Sequence, residues 1–253
     1  TPEETAKLEH ARDTIQKVRK LLDETLGHHD FYSYGVDEGG PTVIRQERAN
    51  WRITHEAGGK VGVSTRAWRE LLFALDFMIL PGMPSPHRAE EVRKFHESNP
   101  DALCGWYANP HTGPENPDYF RRIHGLLAWQ TGYDVSANYC WWRNNWNDMA
   151  TPYEPELRGL VIVYGTKDDV IDTLAWEGVR EGMNDVRYAT LARNLALEAA
   201  KSDDADTLLL GRRVLSYIAY WDSWREDPEA FRFECINFIL RLRKALKIDG
   251  VKG

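Results

Sequence analysis

The sequence predicts an α/β fold of the (β/α)8-barrel type, with the chain covering about strands four to eight and ending in a helical extension. Three observations predict it. Short apolar runs alternate with helical patterns five times between residues 31 and 139; the chain opens on a helix, as though a strand preceded it; and beyond residue 165 strand signals give way to long helical patterns. Repeated β-α alternation implies parallel strands joined by right-handed crossovers. The expected organisation is a barrel portion over 1–165 and a helical extension packed on it over 166–253.

The opening Thr1-Pro2-Glu3-Glu4 has the form of a capping box, with proline at the first helical position and Glu4 able to reach back to the cap. Leu8, Ala11, Ile15, Val18 and Leu22 then recur at three- and four-residue steps and make one apolar stripe on a charged helix ending near Gly27. Strands follow over 31–36, 61–64, 77–80, 103–107 and 135–139, and helices over 43–57, 67–74, 89–97 and 119–129. Gly58-Gly59, Pro81-Gly82 and Gly132 punctuate them. After Tyr139 comes an aromatic, amide-rich loop (CWWRNNWND), one further strand over 160–164, and helices over 169–200, 206–221 and 228–246, the first frayed or bent near its start. Five alternating strands fall short of the eight a barrel needs, and the sequence begins at Thr1 without an initiator Met. The expectation is that strands one to three come from a missing amino-terminal segment or from a partner chain.

Composition narrows the function classes. A chain of 253 residues with 42% hydrophobic content supplies a substantial core. A net charge of −7 and no Lys/Arg-rich run argue against nucleic acid as a partner. No apolar run approaches the ~20 residues that span a bilayer, and no basic-plus-apolar leader opens the sequence, so no membrane partner is expected. Cys104, Cys140 and Cys235 lie far apart and outside any CxxC pair, which reads as buried free thiols. The eight His residues form no HExxH or comparable cluster, and there is no GxGxxG or GxSxG, so neither a metal nor another cofactor is expected. Ten Trp, eleven Tyr and eight Phe are a heavy aromatic load, of the kind that lines sites for the apolar faces of sugar rings.

In a parallel β/α architecture the working residues project from the carboxyl ends of the strands. Those ends carry YGVDEGG, STR, WYANPHTGPEN and NYCWWRNNWND. Asp37 and Glu38 close an apolar strand and precede two glycines and a proline that turn the backbone out. Repulsion and desolvation make two adjacent carboxylates costly there, which favours a functional reading. The alternative is that they cap the next helix. Tyr34, Arg66, Trp106, Tyr107, Asn109, Asn138, Tyr139, Trp141 and Trp142 mix stackable rings with polar side chains at the same strand ends, as carbohydrate recognition requires. Strand alternation sends Val135, Ala137, Tyr139 and Trp141 to one side and Asn138, Cys140 and Trp142 to the other, so about half of these aromatics are expected to be structural.

Three stretches, FYSYGVDEGG, GWYANPHTGPENPDYFRRIHGLLAWQTGYDVSANYCWW and DVIDTLAWEGVREGMNDVRYATL, resemble the carboxyl-terminal half of barrel proteins related to glycoside hydrolase family 123 and the family of unknown function numbered 4091. The resemblance covers about residues 30–195, and the last stretch is its most specific part. It implies a hydrolase of β-linked N-acetylgalactosamine or a related sugar, with Asp37 orienting the acetamido group and Glu38 as general acid/base. If the whole protein degrades bacterial polysaccharide, a secreted or periplasmic setting is implied. The pattern also covers Trp176, Glu177, Arg180 and Glu181, whose spacing points to packing and ion pairs.

The expected activity is substrate-assisted, retaining hydrolysis, with the sugar's own acetamido oxygen as nucleophile. Two alternatives stay open. One recruits a second carboxylate, from Glu115, Asp134 or the missing segment, on sugars without an acetamido group. The other is a non-catalytic carbohydrate-binding or assembly subunit whose open sheet edges need a partner chain.

Overall fold

The computed structural model describes residues 1–65, 75–107, 116–138 and 161–248. The expected helix over 67–74 lies outside them. The chain divides into two compact units: Thr1–Pro110 with Thr131–Ala137, and His111–Gln130 with Asn138–Gly253.

The first unit is built on a parallel sheet of five strands in sequential order: β1 (Tyr32–Asp37), β2 (Lys60–Ser64), β3 (Phe77–Pro81), β4 (Leu103–Tyr107) and β5 (Val135–Ala137). With its helices this establishes an α/β fold. Helices α1 (Pro2–Leu26), α2 (Pro41–Glu56) and α3 (Pro86–Ser98) belong to the same unit. The capping box forms at the start of α1, where Thr1 Oγ1 accepts from the Glu4 N–H at 3.3 Å. Gly27 ends the helix at φ +73°, a conformation that favours glycine.

Strand register sorts the side chains onto two faces. One carries Val61, Val63, Met78, Leu80, Cys104 and Trp106, all buried. Helices cover this face. A Cβ on Gly35 would lie 3.1 Å from the Trp51 indole nitrogen of α2, and Glu91 of α3 is close enough to Cys104 to help push its thiol pKa up, burial being the larger cause. A sheet whose strands advance in one direction through right-handed crossovers puts its helices on one side, as α2 and α3 are here. The other face carries Tyr32, Tyr34, Gly62, Ser64, Phe77, Ile79, Gly105 and Tyr107. Phe77 lies across this face: its ring meets Tyr32 edge-on at 5.5 Å, and a Cβ on Gly105 would come within 2.9 Å of it. Phe77, Ile79 and Tyr107 are only half-buried there. Neither the free edge of β1 nor that of β5 pairs with another strand among the described residues.

The amino ends of the strands are tied by a repeated device. Asp76, just before β3, accepts from the Val61 N–H at 2.7 Å and pairs with His55 in the last turn of α2. Asp134, just before β5, accepts from the Cys104 N–H at 2.7 Å and pairs with His96 in the last turn of α3.

The second unit contains α4 (Pro117–His124), α5 (Leu126–Thr131, its last residue grouped with the first unit), a hairpin of β6 (Val163–Gly165) and β7 (Val170–Asp172), and the helices α6 (Leu174–Ala199), α7 (Ala205–Tyr220) and α8 (Pro228–Ala245). The sequence differs from this in three places. The single expected helix over 119–129 breaks at Gly125, because α4 and α6 approach so closely that a Cβ there would lie 2.7 Å from the Gly182 Cα. The strand expected over 160–164 lies later, at Val163–Gly165, and pairs antiparallel with β7. The helix expected from 169 starts at Leu174, since β7 takes residues 170–172 and Thr173 caps the helix through the Trp176 N–H.

Glycine makes the α4–α6 contact possible: a Cβ on Gly178 would sit 2.2 Å from the Pro117 carbonyl oxygen, and one on Gly182 2.5 Å from that of Arg121. At the same place Asp185, with no exposed surface, accepts from Arg121 Nε at 2.7 Å and Arg232 Nε at 2.6 Å. Glu229 and Glu181 close the network through Arg121 and Arg232. The helix residues singled out above take packing and pairing roles: Arg180 pairs with Glu177 at 2.8 Å, and Trp176 packs against the cluster of Phe120, Ile162, Ala175 and Val179. Cys104 and Cys235 are buried free thiols; Cys140 lies outside the described residues.

Candidate functional site

The site forms at the carboxyl ends of β1, β2 and β4. Tyr34 pairs with Gly62 in the β1–β2 register, but Asp37, and not Val36, pairs with Ser64. This one-residue bulge turns Asp37 onto the face that Tyr34 occupies. The Tyr34 hydroxyl then donates to Asp37 Oδ1 at 2.8 Å.

Glu38 follows in the left-handed region at φ +50°, a conformation that costs a non-glycine residue roughly 1–2 kcal/mol. Gly39 is needed next, because a Cβ there would meet Val36 Cγ1 at 2.4 Å, and its carbonyl accepts from the Thr65 hydroxyl at 2.9 Å. Held in this turn, Glu38 accepts a hydrogen bond from the Tyr107 hydroxyl of β4. The two strands are three positions apart in the sheet order, so this contact links the carboxyl ends of non-adjacent strands.

Ser64 lies between the two phenols, 1% exposed, and its proximity tends to lower the pKa of each. Larger opposing effects win. Desolvation of the hydroxyl, then the hydrogen bond to Asp37, push the Tyr34 phenol up to about 12; desolvation and the bond to Glu38 do the same for Tyr107. Both phenols stay protonated through the neutral range and act as donors.

The capping alternative for the acidic pair does not hold. The N-cap of α2 is Gly40, which makes no side-chain cap, and both carboxylates instead accept from phenols. Both are exposed, as is Tyr34 at 53%. Trp106 points to the opposite, helix-covered face and is 0% exposed, so it has no ring surface to offer a solute. Asn138 directly follows β5 and is half-buried. Arg66, Asn109, Tyr139, Trp141 and Trp142 lie outside the described residues, as do Glu115 and His111. Asp134 is removed as a second carboxylate of this site, because its bonds to Cys104 and His96 place it at the amino ends of the strands.

Sequence reading missed Ser64 and Phe77. Ser64 was within view, in the STR segment at a strand end, but its place between two phenols depends on the sheet register. An open depression of about 510 Å³ lined by His28, His29, Asp30 and Lys60 lies at the amino ends of β1 and β2, and its His29 and Lys60 are already paired with Asp23 and Asp30. Among the described residues no group of three His, Cys, Asp or Glu side chains could hold a metal ion, and no helix is long and apolar enough to cross a membrane. In comparisons with known proteins, no family model matches the chain and no curated protein does.

Proposed function

We propose that the chain carries the acid/base machinery of a glycoside hydrolase that cleaves a β-linked N-acetylated amino sugar. The observation behind this reading is the adjacent carboxylate pair at the carboxyl end of a parallel sheet, each member held by a different phenol in a bulged, left-handed turn. Backbone strain and side-by-side acids are costs that persist where function requires them.

In the reaction, Glu38 gives its proton to the glycosidic oxygen as the C1–O bond breaks, and the substrate's acetamido carbonyl oxygen attacks C1 to form a cyclic oxazolinium. Asp37 accepts from the amide N–H and stabilises the positive charge that develops there. The Glu38 carboxylate then takes a proton from water as the water oxygen attacks C1 and opens the ring, which returns the sugar with retained configuration. No protein nucleophile is needed in this version; for the two-carboxylate one Asp134 is at the far end of the sheet and Glu115 lies outside the described residues.

The finer fold reading is a barrel of which β1–β5 form about strands four to eight. Sequential strand order, the covering of one face by α2 and α3, a half-buried inner face and two outer edges unpaired among the described residues support it. Strands one to three would come from a preceding segment or a partner chain, and the resemblance to glycoside hydrolase family 123 belongs to this proposal. The test is hydrolysis of an aryl β-N-acetylgalactosaminide and of its acetamido-free galactoside. Glu38→Gln should abolish turnover without unfolding the protein; full activity in that variant refutes the assignment. Equal turnover of the two substrates refutes substrate assistance.

A further inference from the structure

We infer that Tyr107 and Tyr34 are positioning residues, each donating its hydroxyl to one carboxylate of the pair so that Glu38 and Asp37 are held in two distinct orientations above Ser64. The inference rests on reading Asp37 and Glu38 as the acid/base pair, and it takes both phenols out of the set of direct sugar contacts. Adjacent carboxylates on one turn repel each other and have several rotamers available. Two donors arriving from different strands remove that freedom: Tyr34 binds Oδ1 of Asp37 and Tyr107 binds Oε1 of Glu38. Among the described residues Oδ2 of Asp37 and Oε2 of Glu38 have no hydrogen-bond partner, so one oxygen of each remains to meet substrate: Oδ2 for the amide N–H, Oε2 for the leaving oxygen.

The arrangement is asymmetric in a useful way. The Tyr34–Asp37 bond is local, three residues apart within β1 and its bulge, so the orienting acid is set by one strand. The Tyr107–Glu38 bond links residues 69 apart, so the proton-carrying acid is correctly placed only when β1 to β4 are assembled. Phenols protonated well past neutral pH suit the task, because they donate without carrying charge of their own.

The test has two arms. Near-ultraviolet titration of the wild type minus Tyr107→Phe isolates the ionisation of Tyr107, and the same difference in a Glu38→Gln background isolates it without the carboxylate. The isolated curve should move from about 12 part of the way toward its ordinary value, since desolvation remains. An unchanged curve overturns the pairing, and this arm needs no activity. In the kinetic arm, Tyr107→Phe should lower kcat by about tenfold or more with KM nearly unchanged, as expected when a group acts through the acid. A raised KM with unchanged kcat makes Tyr107 a sugar contact and overturns the inference. If the wild type hydrolyses neither substrate, the hydrolase reading falls, and the titration alone decides whether phenol and carboxylate are paired.

Discussion

The two units treat charge in opposite ways. In the helical unit the central carboxylate, Asp185, has no exposed surface and is shared by two arginines, at a place where helices touch through Gly178 and Gly182. In the sheet unit the notable carboxylates, Asp37 and Glu38, are exposed, accept from neutral phenols, and sit on a bulge and a left-handed residue. A buried charge with two cationic partners is committed to structure, since removing it strands both partners. An exposed charge with a neutral partner keeps an oxygen for something else. The contrast places stability in one unit and the candidate chemistry in the other.

The comparison can be broken experimentally, and the largest effect belongs to the helical unit. Asp185→Ala leaves Arg121 and Arg232, 15% and 14% exposed, without their shared partner and should cost about 3–5 kcal/mol in urea unfolding. A loss below about 1 kcal/mol would show that the network is not a structural centre.

Next comes acid. His124 is buried at the end of α4, stacked on Phe120 at 5.3 Å, and burial holds its pKa down at about 3. Its folded value lies below the unfolded one of 6.5, so the unfolded state takes up the proton first. Stability is therefore complete above pH 6.5 and is lost as pH falls toward 3, by up to ~1.4 kcal/mol per pH unit. Stability against pH, compared with His124→Gln, checks this; an identical slope in the variant refutes it.

The smallest effect is expected at the site itself. Glu38→Gly relieves the left-handed strain, roughly 1–2 kcal/mol, while it loses one exposed hydrogen bond and gains chain entropy on unfolding. The unfolding free energy should change by less than about 1 kcal/mol while aryl-glycoside turnover disappears. A loss of several kcal/mol would mean that Glu38 is a structural residue after all.

Much of the sheet unit was legible because its signals are local. The capping box at Thr1, the end of the first helix near Gly27 and the strand at Leu103–Tyr107 depend on neighbours within a few residues, and they appear as read. The helical break at Gly125 and the β6–β7 pairing were not legible. The first depends on how near Gly182 comes, the second on which strand β6 meets, and neither is written in local periodicity. At the site the doublet itself was visible as acids ending an apolar strand, whereas the burial of Trp106 needed the choice of face that register makes.

The succession of the five parallel strands, the acids at the end of β1 and the glycines that let the chain turn there were determined by the sequence alone, because dihedral preference and apolar spacing act over a few residues. Which phenol each acid meets, that Tyr107 reaches Glu38 across 69 residues, and that Asp185 is buried while Asp37 is exposed were decided only by the tertiary structure. Those properties belong to contacts between distant segments, and a contact of that kind exists only once the backbone has brought its two sides together.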